Sequence, residues 1–294
     1  EWFSWRMIFL INLPIGLAVF VFALRRMTID PATKSKANLD LVGSLLIILA
    51  VGGIAAGLSR AGESALLSAS VLGPLGLGLV MFASFLVWAR QRTQAALDIR
   101  LFAYPVYRWA SMAALVLGIA FGLMFLTFYL LFTGVWHFSQ TMAGLAATPG
   151  PLIATLVAAS LSRRLTQGNF HLPMMIGGLA FAISNAWLSL CLEAAPAYLT
   201  VLLPGQVLGG IAIGLMLPGI AASAVSHLPQ QQLGIGSAVN SALRLLGSSL
   251  GVAMAVALLG SSSLKIQAFK PVYGSLVLCG CLIAIIAWRL RLRS

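Results

Sequence analysis

The chain has 294 residues, of which 60% are apolar and only 8% charged, and its mean hydropathy is +1.01. Soluble domains carry roughly 25% charged residues, so this composition excludes a soluble globular protein. A net charge of +12 would suggest nucleic acid as a partner in a soluble protein, but in a membrane protein basic loops account for it. We therefore predict a lipid bilayer as the surroundings and no nucleic-acid partner.

Nine apolar segments are long enough to cross a bilayer, whose core of ~30 Å needs about 20 mostly apolar residues per helix. In chain order they are 5–24, 41–59, 66–88, 109–135, 140–161, 173–192, 197–221, 234–259 and 271–288. They lack the alternating pattern, in segments of about ten residues, of a membrane β-barrel. The sequence therefore predicts an all-α polytopic membrane protein.

Polar stretches divide these segments into groups. We expect one helix in 1–24, a cytoplasmic loop in 25–40, two helices in 41–88, a basic cytoplasmic linker in 89–108 and a six-helix unit in 109–294. Many transporters are built from six-helix halves and bind substrate near the bilayer midplane. Because the chain opens inside an apolar segment, we expect it to be part of a longer protein with further helices before residue 1.

The distribution of positive charge predicts the orientation. If the first segment exits into the cytoplasm, thirteen of the 18 lysines and arginines lie in cytoplasmic stretches, four lie on the opposite side, and Arg244 lies inside a segment. Cytoplasmic loops of membrane proteins carry this excess. The loop 222–233 and the residues Lys265 and Lys270 fit the rule poorly, but the other loops outnumber them.

The acidic residues all fall outside the apolar segments or at their ends: Glu1, Asp30, Asp40, Glu63, Asp98 and Glu193. No carboxylate therefore lies in the interior of a predicted membrane-crossing segment. Asp40 directly precedes the second segment, where aspartate caps a helix by accepting from its free amides. With no acidic pair, metal-ligand cluster or nucleophile with a base, we predict no enzyme, no metal and no cofactor.

Arg244 is the one charge deep within a segment, about ten residues or roughly 15 Å along its helix. Helical spacing places several polar residues on the same face: Ser237, Asn240, Ser241, Arg244 and Ser248. An intramembrane arginine normally has a partner and faces protein or water. We take Ser237, Asn240 and Arg244 as candidates for gating or coupling; the alternative is a structural arginine that ties helices together.

An aromatic stripe in the fourth segment is the second candidate site. Aromatic side chains recur there in steps of three and four, and aromatic surfaces bind varied lipophilic compounds through π contacts. The candidate substrate-pathway residues in this stripe are Phe121, Phe125, Tyr129, Phe132 and Trp136. The alternative is that the stripe faces lipid or neighbouring helices, with Trp136 in an interfacial belt.

Glycine and proline within the segments predict close packing and kinks. Five pairs have the GxxxG spacing that lets helix backbones approach closely: Gly53/Gly57, Gly118/Gly122, Gly205/Gly209, Gly210/Gly214 and Gly247/Gly251. Prolines that each remove a helix hydrogen bond are expected to favour kinks: Pro14, Pro149, Pro151, Pro204 and Pro218. Kinked, glycine-rich helices suit a protein that alternates between two states, and they also suit a static bundle.

Several stretches resemble one family in the same order along the chain. The opening 5–16 (WRMIFLINLPIG) resembles the sixth helix of EmrB/QacA-type transporters, the fourteen-helix drug:proton antiporter branch of the major facilitator superfamily. Stretches similar to the linker before its ninth helix and to its tenth, twelfth and thirteenth helices are 98–102 (DIRLF), 140–150 (QTMAGLAATPG), 203–218 and 236–251. The stretch 161–168 resembles the family's loop signature but lacks its aspartate.

The resemblance implies helices six to fourteen of such a transporter. In that arrangement 1–24 is the last helix of the N-terminal half, 41–88 the two extra helices and 109–294 the C-terminal half. The fourth and seventh segments then line the central cavity, which adds Gln206 in the seventh segment to the candidate substrate-pathway residues. A proton-carrying carboxylate is expected within the membrane, and so on the helices before residue 1. It implies alternating access in a bacterial inner membrane, with protons, small lipophilic substrates and the N-terminal helices as partners and a periplasmic adaptor left open. The alternatives are an exporter of a lipid, siderophore or amino acid, and a membrane packing module that does not transport.

Overall fold

The computed structural model describes residues 10, 12–26, 40–61, 67–91, 99–165, 170–260 and 265–291. These residues belong to two units, one within 1–39 and one within 40–294. In the first unit, helix α1 (Asn12–Arg26) leaves large apolar side chains such as Leu13, Leu17 and Phe20 more than half exposed. The rest of the first predicted segment, most of the loop 25–40 and the acidic residues other than Asp40 and Glu193 lie outside the described residues.

The described part of the second unit is helical throughout. Its α-helices, in chain order, are α2 (Leu41–Ala61), α3 (Ala69–Gln91), α4 (Pro105–Leu130), α5 (Gln140–Ala147), α6 (Pro149–Leu165), α7 (His171–Cys191), α8 (Leu203–Val225), α9 (Leu233–Leu259) and α10 (Phe269–Arg291). Eight stretches of the described residues are long and apolar enough to cross a membrane, and each overlaps one predicted segment. The all-α polytopic architecture is therefore confirmed.

Asp40 caps α2, as its position before the second segment predicts. Its Oδ1 atom accepts a hydrogen bond of 2.8 Å from the backbone N–H of Gly43. The same oxygen accepts one of 3.0 Å from the indole N–H of Trp88, near the end of α3. One carboxylate thus satisfies a free amide at the helix start and joins α2 to α3.

The prolines interrupt the helices at some of the predicted places. The fifth segment divides at Thr148 into α5 and α6, because Pro149 has no N–H to continue the hydrogen-bond ladder. Pro204 lies in the first turn of α8, directly after a π-helical turn at Tyr198–Leu202. Pro218 lies inside α8 without ending it, as does Pro74 in α3.

Glycines bring α4 and α9 into backbone contact. A methyl group on Gly118 would overlap the carbonyl of Arg244 and lie 3.0 Å from the backbone nitrogen of Ser248. One on Gly251 would overlap the carbonyl of Ile119. Gly122 and Gly247 are equally confined by the facing backbone, so both GxxxG pairs lie at this crossing. Contacting residue numbers rise together, which means that the two helices run parallel.

Other helix pairs use the same kind of contact. In the pair α7 and α10, a methyl group on Gly178 would come within 2.8 Å of the carbonyl of Gly280. In the pair α6 and α8, methyl groups on Gly210 and Gly214 would lie 2.6 Å from the carbonyls of Gly150 and Ala154. Gly53 of α2 contacts Gly78 of α3 in the same manner. Because lipid is as apolar as the side chains, close packing rather than hydrophobic burial drives such association.

Two apolar cores hold the second unit together. The larger core joins residues of α4, α7, α8, α9 and α10 and includes the fully buried Phe132, Phe181 and Tyr273. The smaller core lies where α3 meets the start of α4 and includes Phe85 and Tyr107. Partly buried side chains of α2 pack against this smaller core, so α2 and α3 attach to the unit near the beginnings of α4 and α9.

We expect a Gly118→Ala substitution to destabilise the protein by about 1–3 kcal/mol, because a methyl group there has only backbone to displace. The matched control is Gly274→Ala in α10, where nothing lies within 4 Å of an added methyl group. That change should be neutral or slightly stabilising, since alanine favours helix over glycine. Thermal unfolding of the detergent-solubilised protein measures both. Equal melting temperatures for the two variants would contradict the close crossing of α4 and α9.

Candidate functional site

Two buried hydrogen bonds fix the seam between α4 and α9 below the glycine crossing. The hydroxyl of Tyr107 donates to the carbonyl of Gly236 at 3.0 Å, and the side-chain amide of Asn240 donates to the carbonyl of Ala110 at 3.4 Å. Together with the backbone contact at Gly118, they hold the rotation of α9 against α4 at three successive levels. The side chains of α9 that point away from the seam therefore have defined directions.

The polar stripe of α9, formed by Ser237, Asn240, Ser241, Arg244 and Ser248, is divided by this packing. Asn240 is buried against α4 and only 7% exposed. Ser237 and Ser241 are exposed, and Arg244 and Ser248 are half-buried. The Arg244 guanidinium has no hydrogen-bond or ion-pair partner among the described residues. The stripe thus presents one cation and three hydroxyl groups at the edge of the seam.

The aromatic stripe of α4 is also divided. Phe125 is 77% exposed and Tyr129 is 50% exposed, whereas Phe132 and Trp136 are almost completely buried. Phe121 is partly buried and packs against the larger core. A π-helical turn at Leu131–Val135 ends this helical stretch. Because a π turn is wider than an α turn, extrapolating the spacing of three and four residues through it does not keep the side chains on one face.

Phe132 and Trp136 belong to a compact aromatic cluster. Phe132 stacks on Phe128 and on Phe138 with ring centroids 5.9 Å apart, and Trp136 lies 5.6 Å from Phe138. The chain turns at His137, which lies between Trp136 and Phe138 and has a positive φ of 52°. A left-handed backbone is unfavourable for a residue with a Cβ, so the cluster holds the turn in a strained conformation.

Gln206 lies between helices, at the break in the fifth segment. Its Nε2 donates to the carbonyl of Ala146 at 3.0 Å, and the hydroxyl of Tyr198 donates to the same carbonyl at 3.0 Å. The side chain is only 4% exposed, and its Oε1 atom has no hydrogen-bond partner among the described residues. A carbonyl only accepts hydrogen bonds, so the amide nitrogen must face Ala146 and the oxygen must point away from it.

Gln206 also begins a regular ladder between two parallel helices. Gly210 and Gly214, one and two turns further along α8, contact the backbone of α6 at Gly150 and Ala154. Gln206 lies at the level of the break between α5 and α6. There its side-chain amide contacts the facing backbone in place of a glycine. The ladder therefore connects α8 to both sides of the break at Thr148.

Sequence reasoning did not single out Tyr198, the carbonyl of Ala146 or Phe138. A carbonyl leaves no signal in a sequence, and Tyr198 stands at the edge of an apolar segment where tyrosine is common. Pro149 and Pro151 were the available signal, because two prolines deprive nearby carbonyls of their helical donors. A search for buried donors around that break would have suggested Gln206 and Tyr198.

The described side chains offer several groups that can bind a ligand. No group of three His, Cys, Asp or Glu among them could hold a metal ion. The two described carboxylates, Asp40 and Glu193, lie beside helix ends. What the unit offers is aromatic and apolar surface on α4, hydroxyl groups and a guanidinium on α9, and a buried amide on α8.

Eight apolar stretches that are long enough to cross a membrane, packed through glycine contacts, define a multi-pass helical membrane protein. The model of the Major Facilitator Superfamily matches residues 1–252, and the chain belongs to that superfamily. As a member with these helices it is a multi-pass protein of the plasma membrane.

Curated relatives are similar over most of this chain. A probable transport protein, HsrA, of Haemophilus influenzae is 30% identical over 85% of this chain and 53% of its own length. The cephamycin export protein CmcT of Amycolatopsis lactamdurans is 27% identical over 90% of this chain and 54% of its own. The multidrug export protein EmrB of Haemophilus influenzae is 26% identical over 85% of this chain and 49% of its own length. The chain thus spans about half the length of these relatives.

We expect Gln206→Glu to lower the stability of the protein by about 1–3 kcal/mol, because a carboxylate has no N–H for the Ala146 carbonyl and leaves buried groups unsatisfied. Tyr198→Phe, which removes the second donor to that carbonyl, should cost about 1 kcal/mol. The matched control is Tyr129→Phe, at an exposed tyrosine with no resolved interaction. Melting temperatures in detergent test this. A Gln206→Glu protein as stable as the control would contradict a stabilising role for the hydrogen bond from Gln206 to the Ala146 carbonyl.

Proposed function

We propose that this chain is the C-terminal part of a proton-driven multidrug efflux antiporter of a bacterial inner membrane, which exports lipophilic compounds by alternating access. The superfamily match over residues 1–252 carries this proposal. Support comes from the printed names of relatives, which include multidrug export and cephamycin export proteins. In this proposal the chain holds helices six to fourteen, with the domain boundaries predicted from the sequence.

The substrate pathway of the proposed exporter runs along the exposed side of α4. Phe125 and Tyr129 present aromatic surface there, and aromatic faces attract cations and pack against neutral ring systems. Phe121 lies beside them, while Phe132 and Trp136 contribute from the buried cluster at the end of the same helix. Gln206 contributes its buried Oε1 atom, a side-chain acceptor that has no donor among the described residues.

The proposed partners are the bilayer, small lipophilic substrates, protons and the helices that relatives have in their other half. The described spans hold no carboxylate in their interior, so in this proposal the proton-carrying group lies in that other half. Ser237, Asn240 and Arg244 are gating or coupling residues. We propose no enzymatic activity and no cofactor, and a periplasmic adaptor is a further candidate partner.

Expression of the full-length protein in a bacterium that lacks its main efflux pumps tests the function. We expect faster efflux of a lipophilic dye than from cells with empty vector, and collapse of that efflux by a protonophore, because the proton gradient is the driving force. Chain 1–294 expressed alone at equal membrane abundance should give no efflux. Dye retention by cells with abundant full-length protein would count against drug export. Efflux that the protonophore does not slow would count against proton coupling.

We expect Phe125→Ala and Tyr129→Ala in the full-length protein to change the relative export of different substrates by about fivefold. Losing one aromatic contact worth about 1 kcal/mol in a pocket reduces affinity roughly fivefold, and unequally among ligands. Leu190→Ala is the matched control, an 85% exposed apolar residue at the end of α7. Resistance profiles against a panel of drugs measure the effect. Identical profiles for all three variants would remove the α4 face from the pathway.

A further inference from the structure

Arg244 is a formal charge in the interior of a membrane-spanning helix. It lies eleven residues after Leu233, where α9 begins, which is roughly 16 Å along the helix axis. Charged side chains at this depth are costly and almost always paired or facing water. Its backbone carbonyl is held against Gly118, and the next turn is held by contact of Ser248 with Gly122. The backbone that carries the guanidinium is therefore fixed in place on α4.

The described part of the chain supplies no counter-charge at that level. Its two carboxylates are Asp40, which precedes α2, and Glu193, which follows α7, both at the ends of spans. Asp40 is already occupied by the Gly43 amide and the Trp88 indole. Among the described residues, the Arg244 guanidinium has neither a hydrogen-bond acceptor nor an ion-pair partner.

The surroundings of Arg244 fit a carboxylate better than a single oxygen atom. A guanidinium offers planar pairs of N–H groups that match the two oxygens of a carboxylate. Ser237 and Ser241 are exposed on the same stripe and can donate to a neighbouring oxygen. The seam with α4 already uses Asn240, so the exposed edge of the stripe is available to another element.

We propose that Arg244 forms an ion pair with a membrane-embedded carboxylate on a helix of the full-length transporter that lies outside this chain. Relatives are about twice as long as the matched region, so a half of comparable size can supply such a helix. The inference rests on the proposed function only in requiring a two-half transporter. The stripe of α9 is then an interface between the halves, and the ion pair joins the two halves there.

Charge exchange in the full-length protein tests this. Arg244→Glu should lower the melting temperature of the purified protein by about 5 °C or more and reduce efflux at least tenfold. Arg244→Lys keeps the charge but loses the paired N–H groups, so it should cost less of both than Arg244→Glu. Each acidic residue in an apolar span of the other half is then changed to lysine in the Arg244→Glu background. One of these second changes should restore the melting temperature, because the pair is re-formed with reversed charges.

Arg90→Glu is the matched control, since Arg90 is an exposed arginine in the last turn of α3, and it should leave the melting temperature unchanged. Because stability is read independently of transport, rescue of the melting temperature supports the ion pair even if the wild-type protein exports no drug. Wild-type stability of Arg244→Glu overturns the proposal. Failure of every charge exchange to restore the melting temperature also overturns it.

Discussion

Contact between glycine backbones is the constraint on which the rest of this structure depends. In lipid, apolar side chains gain little by turning towards one another, so helices associate where their backbones can approach closely and pack. At the crossing of α4 and α9, Gly118 and Gly251 leave no room for a methyl group. This contact fixes the rotation of both helices, and with it the direction of the polar stripe of α9 and of the aromatic residues of α4 that precede the π turn.

The two ends of the six-helix part differ in regularity. At the beginnings of α4 and α9, a buried tyrosine, an asparagine and a second apolar core tie the helices to α2 and α3. At the other end lie a π turn after α4, the break at Thr148 and a π turn before α8. Tyr198 and Gln206 both bind the carbonyl of Ala146 beside that break. A protein that alternates between two states needs irregular segments that can change shape, and the proposed exporter has them at one end.

Much of the architecture was predictable, because apolar segments and helical spacing are visible in the sequence itself. The long apolar segments gave each of the eight described membrane-crossing stretches, and Asp40 was recognisable as a cap from its position alone. The GxxxG pairs were visible, but not which helices they would join, because spacing identifies a face and not its partner. The aromatic stripe was only partly predictable: Phe125 and Tyr129 are exposed while Phe132 is buried, since no pattern announced the π turn.

The sequence by itself determined the membrane class, the helices and the isolation of Arg244. A helix that lies in lipid must be apolar along its length, so its composition and the spacing of its few polar residues are readable without a structure. Only the tertiary structure decided that Asn240 turns into the seam with α4, that Gln206 binds a broken helix, and that Arg244 has its backbone held on Gly118. These outcomes depend on contacts between residues 60 to 130 positions apart. Such contacts arise from how helices pack, which the pattern along one helix does not contain.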